Sequence, residues 1–77
     1  MPHILVQLWP GRDEETKQRL ADALTAEAAR VLDVSPDALS VSLEEISRED
    51  WKERVWQREI QAKPALLYRA PGYSYDE

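Results

Sequence analysis

Two short apolar segments flank one long amphipathic segment in this 77-residue chain, and that order constrains the fold more than any other feature. His3 to Trp9 alternates aliphatic with mixed side chains, which predicts a strand that ends at Pro10-Gly11. Asp13 to Asp33 repeats apolar residues at three-to-four spacing, which predicts a helix. Ala38 to Ile46 alternates again and predicts a second strand. This order predicts a β-α-β unit with parallel strands and a right-handed crossover.

The rest of the chain predicts a short C-terminal helical segment. Ser47, followed three residues later by Asp50, resembles a capping box that opens a helix. The apolar residues on its expected buried side are Trp51, Val55, Trp56 and Ile60. Pro64 should begin another short turn or helix. We therefore expect residues 1–77 to form a single domain of the α/β (α+β) class.

Two strands and one helix make a small core. Sheets of three or more strands are normally needed for stability, and the chain has no cysteine with which to form a disulfide. We therefore expect a second subunit to complete a four-stranded sheet with the helices on one face. A homodimer is the leading expectation, and a hexamer built from such dimers is the alternative. The remaining aromatic residues, among them Trp9, Trp56, Tyr68, Tyr73 and Tyr75, are expected in packing, at the interface or on a pocket rim.

Composition excludes several classes of function. The net charge of −5, from 10 basic and 15 acidic residues, argues against nucleic-acid binding. No apolar run is long enough to span a membrane, and the first residues lack the order of a signal peptide, so we expect a cytoplasmic protein. With one histidine and no cysteine, no metal site is expected.

Chemistry is concentrated at the start of the chain, at Pro2. Removal of Met1, which is usual before so small a residue, would leave a secondary amine at the terminus. An α-amino group titrates near pH 7.7 to 8.0, and burial or a nearby cation lowers its pKa further. Such a base could remove a proton from carbon beside a carbonyl and return it elsewhere, without a cofactor. The single histidine, His3, is expected to be a strand residue bonded to neighbouring polar groups.

Several motifs occur together in one order. They are Pro2 heading a short strand, Gly11-Arg12-Asp13-Glu14, a long helix with Lys17, Leu32-Asp33 and the run Leu39 to Ile46. This order resembles the 4-oxalocrotonate tautomerase family from Met1 to about Trp51. The start Met1-Pro2-His3-Ile4, the later tryptophans and the closing Pro71-Gly72-Tyr73-Ser74 resemble its PptA-type branch along the whole chain.

The resemblance implies particular roles. Pro2 matches the proton carrier of the family, Arg12 matches the arginine that binds the substrate's carboxylate or carbonyl, and Trp51 matches the aromatic residue that lines the pocket. Hexameric members carry a second arginine in strand two, where this chain has Ser40. That difference argues against efficient use of a dicarboxylate. It suits the dimeric branch and a monocarboxylate enol, such as an enolpyruvate with an aryl group.

Pro2 and Arg12 lie ten residues apart, with a strand between them. Seven to nine strand residues extend roughly 25 to 30 Å, which is too far for one small substrate. Either the loop at Pro10-Gly11 folds back, or Arg12 serves Pro2 of another subunit. This spacing favours a site shared across an interface.

Three functions agree with these features. The leading one is a cofactor-independent isomerase that moves a proton within a small enol or 2-oxo acid. An alternative is a hydratase or dehalogenase acting on unsaturated acids in the same fold. A third is a non-catalytic dimeric binding protein, and that interpretation would be favoured if Met1 remained attached to Pro2.

Overall fold

The computed structural model describes residues 1–75. Within it the chain divides into two compact units, Met1–Glu45 and Ile46–Glu77, and each is described by itself. Among the described residues, the buried apolar side chains are Ala29, Ile46 and Val55. No helix in this part of the chain is long and apolar enough to cross a membrane.

The first unit contains the predicted parallel strand pair. β1 (His3–Leu8) and β2 (Ser40–Glu45) pair in register, from His3 opposite Ser40 to Leu8 opposite Glu45. The prediction of a second strand from Ala38 was too long, because Pro36–Ala38 forms a 3₁₀ turn. The side chain of Ser35 caps that turn by accepting the backbone N–H of Asp37 at 3.1 Å.

The connecting helix α1 (Glu14–Leu32) confirms the predicted helix, and its two flanking residues explain its limits. The Asp13 carboxylate accepts the backbone N–H of Thr16 at 2.8 Å, which satisfies a free donor of the first turn. Asp33 ends the helix in the left-handed conformation, with φ 58°, and its N–H bonds back to the carbonyl of Ala29.

The two faces of the strand pair differ in character. Helix α1 lies over the face that carries Val41 and Leu43, and a cleft of about 240 Å³ remains between them. That cleft is lined by Glu14, Lys17, Gln18, Ala21, Val41 and Leu43. The other face carries His3 and Leu5, and Leu5 is 52% exposed. One face of the sheet is thus covered by the chain's own helix, and the other retains exposed apolar surface.

The second unit begins with the predicted helical segment. α2 (Arg48–Trp51) opens at Ser47, whose hydroxyl accepts the backbone N–H of Asp50 at 3.2 Å. The segment continues as a π-helix, Lys52–Gln61. Its end shows the wider turn directly, because the N–H of Ala62 bonds to the carbonyl of Gln57, five residues earlier, at 3.0 Å.

The π-helical winding follows the spacing of the apolar residues. In an α-helix, Trp51 and Ile60 would lie about two and a half turns apart and therefore on opposite sides. A helix with i→i+5 bonds has more residues per turn and brings positions four to five apart onto one side. Val55 is buried, and the other three apolar residues predicted for the buried side are half-buried. The segment then ends, and Pro64–Leu66 forms the short turn predicted at Pro64.

Candidate active site

Pro2 lies at the start of the strand pair, one residue before β1. Its side chain is half-buried, and its carbonyl accepts the backbone N–H of Ser40 at 3.2 Å, which extends the ladder of β1 and β2 by one bond. Met1, which precedes it, is fully exposed. In a chain that retains Met1 the nitrogen of Pro2 is an amide, and removal of Met1 would convert it into a secondary amine at a fixed end of the sheet.

His3, the residue after Pro2, is held between two hydroxyl groups of β2. Its Nδ1 lies 2.7 Å from Oγ of Ser40, and its Nε2 lies 3.3 Å from Oγ of Ser42. The expectation that His3 bonds to neighbouring polar groups is therefore confirmed. Ser40 occupies the position at which hexameric relatives were expected to carry a second arginine, and here its hydroxyl is engaged by His3.

Arg12 lies beyond the opposite end of β1. Gly11, with φ 128°, provides the backbone conformation for the turn before it. The Arg12 side chain is exposed, and its Nη1 donates to the carbonyl of Trp9 at 3.2 Å. Seven residue-to-residue steps of nearly extended chain lead from Pro2 to Trp9, a span of roughly 23 Å. The loop does not fold back, so one chain does not bring Pro2 and Arg12 together.

Lys17 is a second cation at the Arg12 end of the unit, and the sequence interpretation gave it no chemical role. Its Nζ lies 2.8 Å from Oε2 of Glu14 and 3.2 Å from Oε2 of Glu45, with 19% of the side chain exposed. The hydrogen bond to Glu14, followed by that to Glu45, raises the pKa of Lys17. The ammonium group therefore ties the first turn of α1 to the end of β2. The i,i+3 spacing of Glu14 and Lys17 on a predicted helix indicates the first of these two ion pairs, whereas the pair with Glu45 has no local signal.

Trp51 lies in the second unit, at the junction of α2 and the π-helix. It is half-buried, and its indole Nε1–H donates to the hydroxyl of Tyr73 at 2.9 Å. Sequence reasoning assigned Tyr73 only to an interface or a rim. A contact across 22 residues leaves no periodic signal in a sequence. As for a metal, residues 1–75 bring together no group of three or more histidine, cysteine, aspartate or glutamate side chains that could hold one.

Known proteins resemble this chain in both sequence and structure. Residues 2–53 match the family model described as "Tautomerase enzyme". A "Probable tautomerase" of Xylella fastidiosa (strain 9a5c) is 38% identical over 73 residues, which cover 95% of this chain and 89% of that protein. "Tautomerase PptA" of Cronobacter sakazakii (strain ATCC BAA-894) is 41% identical over 75 residues, which cover 95% and 97% respectively.

Two crystal structures share the fold. TomN, a 4-oxalocrotonate tautomerase homologue in the tomaymycin biosynthetic pathway, is 34% identical with a TM-score of 0.63. The match covers 83% of this chain and 95% of TomN. Apo unfused 4-OT is 37% identical with a TM-score of 0.62, covering 64% of this chain and 80% of that one.

A parallel β-α-β unit headed by Pro2, together with these relatives, defines an enzyme of the isomerase class. The chain belongs to the tautomerase family, and the full-length similarity extends to the PptA-type members. The resemblance read from the sequence is thereby confirmed, and an enzyme is favoured over a non-catalytic binding protein.

Proposed function

We propose that this tautomerase interconverts the enol and keto forms of a small 2-oxo acid, with the nitrogen of Pro2 as base and then acid after Met1 has been removed. The observation that carries the proposal is the position of Pro2. It is half-buried, it is fixed by a backbone bond to Ser40, and it follows a Met1 that is fully exposed and so accessible to an aminopeptidase.

The proton inventory needs no other group. The neutral nitrogen of Pro2 takes the proton from the enol oxygen, and the oxygen's electron pair forms the C=O bond. The C=C electron pair takes a proton from the protonated nitrogen, so the carbon gains a C–H bond and the amine returns to its neutral form. A base with a pKa near neutrality suits both halves of this exchange.

Arg12 is proposed as the anchor of the substrate's carboxylate. A guanidinium group can hold a carboxylate by two parallel hydrogen bonds, and the Arg12 side chain is exposed at the end of its loop. Because one chain separates Arg12 from Pro2 by the length of β1, we propose that Arg12 serves Pro2 of a second copy. The same cation would favour the neutral form of the nearby amine.

The assembly is proposed to be a homodimer, with a hexamer of such dimers as the alternative. Several large apolar side chains of the first unit remain exposed in the single chain, including Leu5 at 52%, Val31 at 64% and Leu32 at 54%. A two-stranded sheet is marginal by itself, and burial of these side chains against a second copy would stabilise it.

The substrate is proposed to be a monocarboxylate with an apolar or aryl group. Ser40 supplies a hydroxyl, already engaged by His3, where a second cation would be needed for a second carboxylate. Trp51, half-buried with its indole N–H bonded, is proposed as the apolar wall that excludes water.

The test is a single-turnover ultraviolet assay of an aryl enolpyruvate, preceded by intact mass measurement to establish that Met1 is absent. Pro2→Ala should lower the ketonisation rate by roughly 10²- to 10⁴-fold, the usual contribution of a positioned general base. Pro64→Ala, which removes a proline ring from a turn in the second unit, is the matched control and should retain the rate. Equal rates in wild type and Pro2→Ala would refute the proline mechanism.

A further inference from the structure

The hydrogen bond from Trp51 to Tyr73 joins a proposed pocket residue to the C-terminal tail. The donor–acceptor distance is 2.9 Å, and the two residues are 22 positions apart in sequence. Indole nitrogen only donates hydrogen bonds, whereas a tyrosine hydroxyl both donates and accepts, so the tyrosine is the acceptor here. The bond therefore fixes one edge of the Trp51 ring.

Tyr73 is itself held by two other aromatic rings. Its ring centroid lies 5.5 Å from that of Trp56, at an interplanar angle of 41°, and 6.2 Å from that of Tyr75, edge to face at 86°. Tyr75 in turn lies 5.7 Å from Trp56. These distances fall within the range of favourable aromatic pairs, so the two neighbouring rings restrain Tyr73 and its hydroxyl.

The π-helix explains how one tail residue can contact both tryptophans. Trp51 and Trp56 are five positions apart, which places them on different sides of an α-helix but on nearly the same side of a helix with i→i+5 bonds. Tyr73 bonds to the first and packs on the second. The unusual winding therefore aligns the two rings that the tail bridges.

Orientation matters for a flat side chain. The second side-chain torsion of tryptophan has broad minima, so a half-buried indole can rock unless its edge is tethered. A tethered ring offers a fixed plane against which an aryl group can pack. An aliphatic substrate gains less from that plane, because it has no ring face to align.

We propose that Tyr73 is a positioning residue that holds the indole of Trp51 and thereby sets the preference of the enzyme for aryl over aliphatic enol acids. This inference rests on the proposed function, because that function assigns Trp51 to the substrate pocket. Tyr73 acts through Trp51 and has no part in proton transfer.

The experiment compares wild type, Tyr73→Phe and Tyr68→Phe with an aryl enolpyruvate and with an aliphatic enolpyruvate of similar length. Tyr73→Phe removes the accepting oxygen and keeps the ring that packs on Trp56. Tyr68→Phe is the matched control, because Tyr68 is 97% exposed. Indole ¹H–¹⁵N resonances, assigned with Trp51→Phe, report the hydrogen bond independently of activity, and Pro2→Ala tests the proton carrier in the same assays.

Tyr73→Phe should shift the Trp51 indole resonance and raise KM for the aryl substrate roughly two- to tenfold, the worth of one ordinary hydrogen bond. The kcat values and the aliphatic KM should stay within error, and Tyr68→Phe should match wild type throughout. An unmoved indole resonance, an unchanged aryl KM or an equal loss for both substrates would each overturn the assignment. If Pro2→Ala keeps the wild-type rate, the proposed function fails. If Pro2→Ala loses the rate but Tyr73→Phe behaves as wild type, the positioning role alone fails.

Discussion

The separation of Pro2 from Arg12 leads to a complementation experiment between two inactive variants. The six residues of β1 extend roughly 20 Å, and Arg12 is bonded to the carbonyl of Trp9 beyond its far end. No small enol acid spans that distance. If each active site takes Pro2 from one subunit and Arg12 from the other, Pro2→Ala and Arg12→Ala damage different halves of the same site.

The expected magnitude follows from counting sites. In a mixed dimer, one site carries both substitutions and the other carries neither. Random exchange of equal amounts gives about half mixed dimers, each with one intact site of two, so the mixture should regain about a quarter of the wild-type activity. The two variants are unfolded and refolded together, and the aryl enolpyruvate assay is run at a fixed total protein concentration.

Two controls define the refuting result. Pro2→Ala refolded with wild type should give about half the wild-type activity with or without subunit exchange, which shows that refolding loses no activity; native mass spectrometry of the two-variant mixture shows that mixed dimers have formed. Each variant refolded alone gives the baseline. If mixed dimers have formed and the mixture of the two variants still stays at that baseline, while the wild-type mixture reaches half, Pro2 and Arg12 act within one chain, and the argument from the length of β1 is wrong.

Two further predictions concern the helix ends. Ser47→Ala should lower the free energy of unfolding by about 1 kcal/mol, because it removes the hydroxyl that accepts the Asp50 N–H. Urea denaturation measures the change, and Ser74→Ala, at an exposed residue, is the control. The hydrogen bonds from Thr16, first from its side chain and then from its backbone, lower the pKa of Asp13 below 3.8. This cap therefore stabilises the fold above that pH and loses its contribution as the pH falls through the lowered value. Asp13→Asn, which can still cap, should show a flatter decline of thermal stability as the pH falls from about 5 to below 3.8; identical acid profiles would contradict this reasoning.

Local rules account for most of what the sequence predicted correctly. Helix α1 was predicted within one residue at each end because Asp13 and Asp33 are themselves the caps. The second strand was predicted to begin too early, at Ala38. Ser35 and Pro36 favour a capped turn, and that turn includes Ala38, which the alternating pattern had assigned to the strand. Alternation alone does not reveal which of two local structures takes a shared residue.

The second unit shows where sequence interpretation lost information. The apolar positions predicted a helix with the usual 3.6 residues per turn. Their spacing of four, one and four residues fits the wider turn of a π-helix better, and the prediction did not use that information. The bond between Trp51 and Tyr73 depends on tertiary packing and has no local signature. The role of Pro2 was predicted from the chemistry of a terminal secondary amine together with the family resemblance, those of Arg12 and Trp51 were predicted from the resemblance, and all three remain predictions.

The bonds across the exposed face of the sheet also determine where the chain's first residues stand. His3 to Ser40 and Gln7 to Glu44, the latter at 3.0 Å, pin β1 to β2 at two rungs of the ladder. A shift of the β1 register by one residue would break both hydrogen bonds and turn every side chain of β1 to the opposite face. It would also move the nitrogen of Pro2 about 3.3 Å along the sheet. That displacement exceeds the tolerance of a hydrogen bond. These two side-chain pairs therefore help to set the strand register and, with it, the position of the amino-terminal residues.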